Sequence, residues 1–153
     1  MSVYYFLATD DRNFPDLLSP KKHRSDGTAL NVFSCMADLY ELEIIKEQDK
    51  GYKDIPYYTK LPYIYTIDWQ CTEERCRQLF EYIKANSKSK YKYEIYQIWL
   101  ANCISKSAFR KDIENGVAAV RKASLSLNTD VEGAVSFLAE LFEEGEFLHI
   151  TLY

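Results

Sequence analysis

Glycine is scarce in this chain, with five residues in 153, and histidine is scarcer, with two. A backbone with so little freedom at positive φ has few places to wrap a phosphate. No glycine-rich phosphate loop, GxSxG elbow, HExxH helix or EF-hand loop is present. His23 and His149 are far apart, and Cys35, Cys71, Cys76 and Cys103 show no CxxC spacing, so a zinc site would need an irregular ligand set. No metal or cofactor is expected. The thiols read instead as small buried hydrophobes in a reducing compartment, with disulfides not expected. No apolar run approaches the roughly 18 residues that a membrane helix needs. The opening MSVYYFLATDD lacks the basic flank and small-residue cleavage site of a secretory signal. These absences point to a cytoplasmic protein with no membrane partner.

What the chain does have is tyrosine, 13 of its residues. Tyr offers large amphipathic area at low side-chain entropy cost, which suits half-buried strands and binding surfaces alike. An apolar fraction of 47% excludes disorder, 27% charged residues make an ordinary soluble surface, and the length suits a single domain spanning residues 1–153. Charge is uneven along the chain. Residues 1–60 carry 8 basic and 10 acidic side chains, 61–128 carry 11 and 7, and 129–153 carry none and 6; the nets of −2, +4 and −6 sum to −4.

The best-specified stretch is 61–88. Tyr63, Tyr65 and Ile67 alternate with Ile64, Thr66 and Asp68, as a strand requires, and Pro62 fits at its start. From Thr72 the period changes: Cys76, Leu79, Phe80 and Ile83 share one helical face, with Thr72 as N-cap and Glu73 and Glu74 at the positive end of the helix. Asp68, Trp69 and Gln70, at the turn between the two, are placed to form a site at the strand-to-helix turn, but the preferred reading is a turn with a packed indole. Residues 2–9 read as a first buried strand and 10–28 as a long loop holding the basic patch Lys21, Lys22, His23, Arg24. The second half of 29–48 favours a strand. Tyr91, Tyr93 and Ile95 alternate toward another strand ending near Leu100, and 105–128 favours a helix or broken helix, with Phe109, Ile113, Val117 and Val120 at helical spacing. Thr129, Asp130, Val131 and Glu132 match a capping box with Thr129 as N-cap, followed by the stripe Val131, Val135, Leu138, Phe142 and a stop at Gly145. In the last strand Leu148, Ile150 and Leu152 form an aliphatic face that points into the core. The order implies an α+β fold: a single-layer mixed or antiparallel sheet of four to five strands, with two to three helices packed mainly on one face.

Three functional readings follow. Leu148-His149-Ile150-Thr151-Leu152 resembles one half of the His-x-Thr signature of the two-histidine phosphoesterases. In that family, two such motifs on two strands point into one cleft, the histidines serving as acid and base on a phosphodiester while the hydroxyls bind its oxygens. The resemblance implies a catalytic pair His149 and Thr151. The other histidine, in Lys22-His23-Arg24-Ser25, stands in a basic, turn-prone loop without strand-forming neighbours. A second reading is RNA binding, with Lys84, Lys88, Lys90, Lys92, Lys106, Arg110 and Lys111 on phosphates and Tyr91, Tyr93 and Tyr96 as stacking platforms. The third, preferred here, is an acidic protein-binding module. Asp130, Glu132, Glu140, Glu143, Glu144 and Glu146 would steer a basic partner, and Tyr91, Tyr93 and Tyr96 would anchor it. A small acidic domain without a catalytic constellation is similar in general character to the bacterial immunity-type inhibitors that neutralise basic nuclease toxins.

Overall fold

The computed structural model describes residues 2–19, 41–47, 59–100, 120–143 and 147–153. In chain order these form β1 (Ser2–Thr9), β2 (Glu43–Lys46), β3 (Tyr63–Asp68), α1 (Glu73–Asn86), β4 (Tyr93–Leu100), β5 (Val120–Leu125), α2 (Val131–Glu143) and β6 (Phe147–Leu152). The six strands make one sheet in the order β2-β3-β1-β4-β6-β5, antiparallel except for the β5/β6 pair. Strands β3 and β4 are both antiparallel to β1, so they run parallel to each other on either side of it, and α1 is the crossover between them. A second crossover, α2, joins the parallel neighbours β5 and β6.

Both helices pack on one face of this sheet. Leu7, Tyr65, Ile67, Ile95, Leu148 and Ile150 meet Leu79, Phe80 and Ile83 of α1 and Ala134, Leu138 and Leu141 of α2 in one buried cluster. The aliphatic face expected of β6 therefore does point into the core. Thr72 caps α1, accepting from the Arg75 amide at 3.3 Å, as expected from the sequence. The opposite face holds a smaller cluster of Phe6, Ala8, Tyr96 and Ile98, with Leu61 packed against it.

Three expectations need correction. The sheet has six strands rather than four to five. The added strand is β5: the spacing predicts a helix running to about Val120 before a polar Ser/Asn stretch, whereas Val120–Leu125 is a strand, and residues 105–119 lie outside the described residues. Arg121, Ala123 and Leu125 are in register with Leu148, Ile150 and Leu152 of β6, so pairing with a neighbour 27 residues along the chain, not local spacing, decides the segment. The N-cap of α2 is Asp130 rather than Thr129. Its carboxylate accepts from the Gly133 amide at 2.9 Å, and a Cβ on Gly133 would sit 3.0 Å from that carboxylate. Gly145 lies outside the described residues.

The described part of the early loop is pinned by tyrosines. Phe14, 3% exposed, sits among the rings of Tyr65, Tyr82 and Tyr93 at centroid distances of 5.4, 5.8 and 5.7 Å. The hydroxyl of Tyr65 donates to the Phe14 carbonyl at 2.6 Å, that of Tyr82 to the Pro15 carbonyl at 2.7 Å, and that of Tyr93 to Asp11 Oδ2 at 3.3 Å. Farther on, Leu17 and Ile44 exchange backbone hydrogen bonds of 2.8 and 2.9 Å, laying the loop along β2. Burial, and then the nearby Asp16 carboxylate, push the Tyr65 and Tyr82 hydroxyls up to about 12. A phenol with a raised folded pKa stabilises the fold while it is neutral, so this contribution is complete below the ordinary value near 10 and is lost as pH rises toward 12. The fold should therefore lose stability across that window, seen as a falling urea midpoint. Tyr65→Phe, which leaves the Phe14 carbonyl without its donor, should cost about 1–3 kcal/mol at neutral pH and weaken the alkaline loss.

Candidate binding site at the acidic end of the sheet

The strand register defines two ends of the molecule. At one, β1 begins, β3 and β4 end and β6 begins; at the other, Thr9, Tyr93 and Leu152 lie side by side. Helix α2 runs toward the first of these ends. Its buried stripe holds Ala134, Val135, Leu138, Leu141 and Phe142, which leaves Glu140 and Glu143 exposed. The last turn carries no basic residue. Among the described residues neither Glu140 nor Glu143 has an ion-pair partner, and both press negative charge against the negative end of the helix dipole. Glu144 and Glu146 lie outside the described residues.

The other acidic residues of this segment have structural work. Asp130 is the helix cap. Glu132 takes a bidentate contact from Arg77 of α1, with Nη2 at 2.8 and 2.9 Å from its two oxygens, and Arg77 also reaches Glu74 at 2.9 Å. This bridge ties the two helices together at the surface, where such pairs contribute about 0–1 kcal/mol.

Next to the acidic helix end lies a cleft of about 460 Å³, lined by Tyr4, Tyr5, Thr66, Asp68, Trp69 and Glu47 among others. Phe142 of α2 meets the rings of Tyr5 and Trp69 edge-on at 5.4 and 5.6 Å, and those two rings meet at 5.3 Å, so the helix end and the cleft wall share one aromatic cluster. Trp69 is 8% exposed, and its indole N–H has no acceptor among the described residues. The packed indole expected from the sequence is thus also part of a cleft wall. The sequence signal was already there, in Asp68 and Trp69 at the end of a strand, but only the neighbouring strand β1 shows that Tyr4 and Tyr5 complete it.

The tyrosines singled out from the sequence are placed differently. Tyr93 and Tyr96 are each 2% exposed, so neither offers a ring to a partner or a nucleic-acid base. Their alternation marks a strand buried on both sides, which has the same period as an exposed one. Tyr91 keeps some exposure under the Lys90 ammonium, 5.0 Å from its ring, but it stands at the far end of the sheet from Glu143. The structure does not bring these tyrosines and the glutamates onto one surface. With Lys88, Lys92, Asn128 and Thr151, Tyr91 lines a separate cleft of about 650 Å³.

His149 and Thr151 share the face opposite the helices, as alternation requires, with His149 beside Tyr96 and Thr151 beside Glu94. The imidazole stacks on Tyr96 at 4.6 Å. Its Nε2 is closed off from solvent, lying 3.3 Å from Glu94 Oε2 without hydrogen-bond alignment. The same carboxylate oxygen accepts from the Tyr96 hydroxyl and, at 3.1 Å, from Thr59. Burial, and then the Glu94 contact, raise the Tyr96 hydroxyl well above its ordinary range, which keeps it a donor. This network satisfies buried polar groups, and a substrate would have to open it to reach Nε2. His23 lies outside the described residues, as do Lys106, Arg110 and Lys111.

Among the described residues no group of three or more His, Cys, Asp or Glu side chains is placed to hold a metal ion. No described helix is long and apolar enough to cross a membrane. Searches against family models, curated proteins and solved structures give no match to this chain.

If Glu94 is the acceptor that holds this network, Glu94→Leu should destabilise by about 1–3 kcal/mol in urea unfolding, because two hydroxyls lose their partner. Adding Tyr96→Phe should restore part of that loss, which a purely additive pair would not do.

Proposed function

We propose that this protein acts by binding rather than by catalysis, as an acidic cytoplasmic inhibitor of a basic protein, in the manner of an immunity protein facing a bacterial nuclease toxin. The supporting observation is the placement of Glu140 and Glu143. Exposed carboxylates at a helix C-terminus cost stability, about 0.3–1 kcal/mol each, and among the described residues no basic group pairs with them, whereas Asp130 and Glu132 are both engaged. Charge held against local stability fits a surface shaped for a partner. The cleft nearby adds a ring and carboxylates on the face opposite the helices: Tyr4, stacked on Phe6, with Asp68 and Glu47 among the lining, suits a Lys or Arg side chain.

The other two readings have less support. Phosphodiester chemistry by His149 and Thr151 would need the Nε2 that is turned toward Glu94. Stacking on Tyr93 and Tyr96 would need rings that the core already holds.

The test is the pair Glu140→Lys and Glu143→Lys. Together they should leave the urea midpoint unchanged or raise it, while proteins captured by the wild-type bait from an extract of the source cells should be lost, and the salt dependence of capture with them. Retention of the same captured proteins by the charge-reversed bait, at the same salt, would remove this surface from the function.

A further inference from the structure

Helix α1 starts at Glu73 behind its cap Thr72, which makes Cys71 the residue before the cap and Cys76 the fourth helical residue. A chain entering a helix brings these two positions together, and an apolar pair usually fills them. Here both are thiols. Their sulfurs are 4.0 Å apart, Cys76 is fully buried, and Cys71 is partly exposed. The proximity is therefore set by the backbone of the helix start and does not depend on a mobile side chain.

The surroundings make the two sulfurs unequal. Cys71 is hydrogen-bonded by Cys76 and by the Tyr5 hydroxyl, and those contacts hold its thiol below the ordinary range against the opposing effects of burial and the Glu143 carboxylate. Cys76 is pushed far up, first by its contact with Cys71 and then by burial. The positive end of α1, one residue away, acts in the same direction on Cys71.

We infer that Cys71 and Cys76 form a peroxide-sensitive dithiol site, with Cys71 as the attacking sulfur and Cys76 as the resolving one. The Cys71 thiolate attacks one peroxide oxygen; the O–O bond breaks, hydroxide leaves and takes up a proton, and Cys71 becomes a sulfenic acid. Cys76 then attacks that sulfur, the S–O bond breaks, and water departs with the Cys76 proton. Two thiols and one hydrogen peroxide become one disulfide and two waters, the protein giving up two electrons.

The full chain, reduced and freed of reductant, is treated with stoichiometric hydrogen peroxide, and its cysteines are mapped by mass spectrometry after alkylation. The expected product has lost two hydrogens through a Cys71–Cys76 bond, with Cys35 and Cys103 still alkylated. In Cys76→Ser the sulfenic acid should persist at Cys71 and be trapped by a cyclic dione, and in Cys71→Ser trapping should fall at least about ten-fold. Two outcomes would overturn the assignment: all four thiols left intact in the wild-type chain, or a bond that pairs Cys71 or Cys76 with Cys35 or Cys103. The wild-type mapping decides even where a serine variant fails to fold.

Discussion

Phe6 and Leu7 are neighbours in β1 that point to opposite sides of the sheet, and they are 1% and 0% exposed. The central strands are thus apolar on both faces, while the two described helices cover only one. Such a strand fits best in the middle of a sheet, where backbone groups find ladder partners, and β1 pairs with β4 from Ser2 to Thr9 and with β3 from Tyr5 to Thr9. The helix face is filled by aliphatic and aromatic side chains. The other face also holds Tyr96, Glu94 and His149, and there two hydroxyls, of Tyr96 and Thr59, turn toward one half-buried carboxylate oxygen. A carboxylate partly removed from water that accepts from two hydroxyls costs less than one left bare.

Helix α2 divides its charge between two jobs. At its start, Asp130 and Glu132 lie where the dipole favours negative charge, and each has a partner: the Gly133 amide and the Arg77 guanidinium. At its end, Glu140 and Glu143 lie where the dipole opposes them, and no basic residue in the last turn answers them. A helix optimised for stability alone would place Lys or Arg there. Phe142, in the same last turn, packs its ring edge-on against Tyr5 and Trp69, which ties that helix end to the strand ends that line the cleft of about 460 Å³.

Much of this architecture was legible in the sequence where the controlling contacts are local. The change from period two to helical period at Thr72 gave both β3 and α1, and the aliphatic alternation of 148–152 gave the core face of β6. The misreadings share a cause. Val120 to Leu125 is a parallel edge strand whose partner comes after an intervening helix, so its pattern is set by Leu148 to Leu152 and not by its own neighbours. Thr129 and Asp130 are both good caps, and only the course of the chain decides between them. Cys71 and Cys76 flank the cap Thr72 at the two positions that close a helix start, a relation already present in the sequence but missed when the thiols are read as isolated buried hydrophobes. Tyr93 and Tyr96 show the weakness of alternation as a guide to exposure: it reports which residues share a face, not whether that face is open.

Five of the described tyrosines share one use. Tyr65, Tyr82 and Tyr93 each place a ring around Phe14 and a hydroxyl on the loop at 11–15; Tyr96 places its ring on His149 and its hydroxyl on Glu94; Tyr5 does the same between Trp69 and Cys71. In each case the residue couples an apolar packing site to a polar partner, which neither Phe nor Ser can do alone. Tyrosines committed in this way are not free to anchor a partner. On the proposed reading, recognition of a basic partner would rest chiefly on the charge of Glu140 and Glu143. An interface of that composition owes more of its affinity to the rate of encounter than to buried area, which makes salt concentration the variable to which its binding is most sensitive.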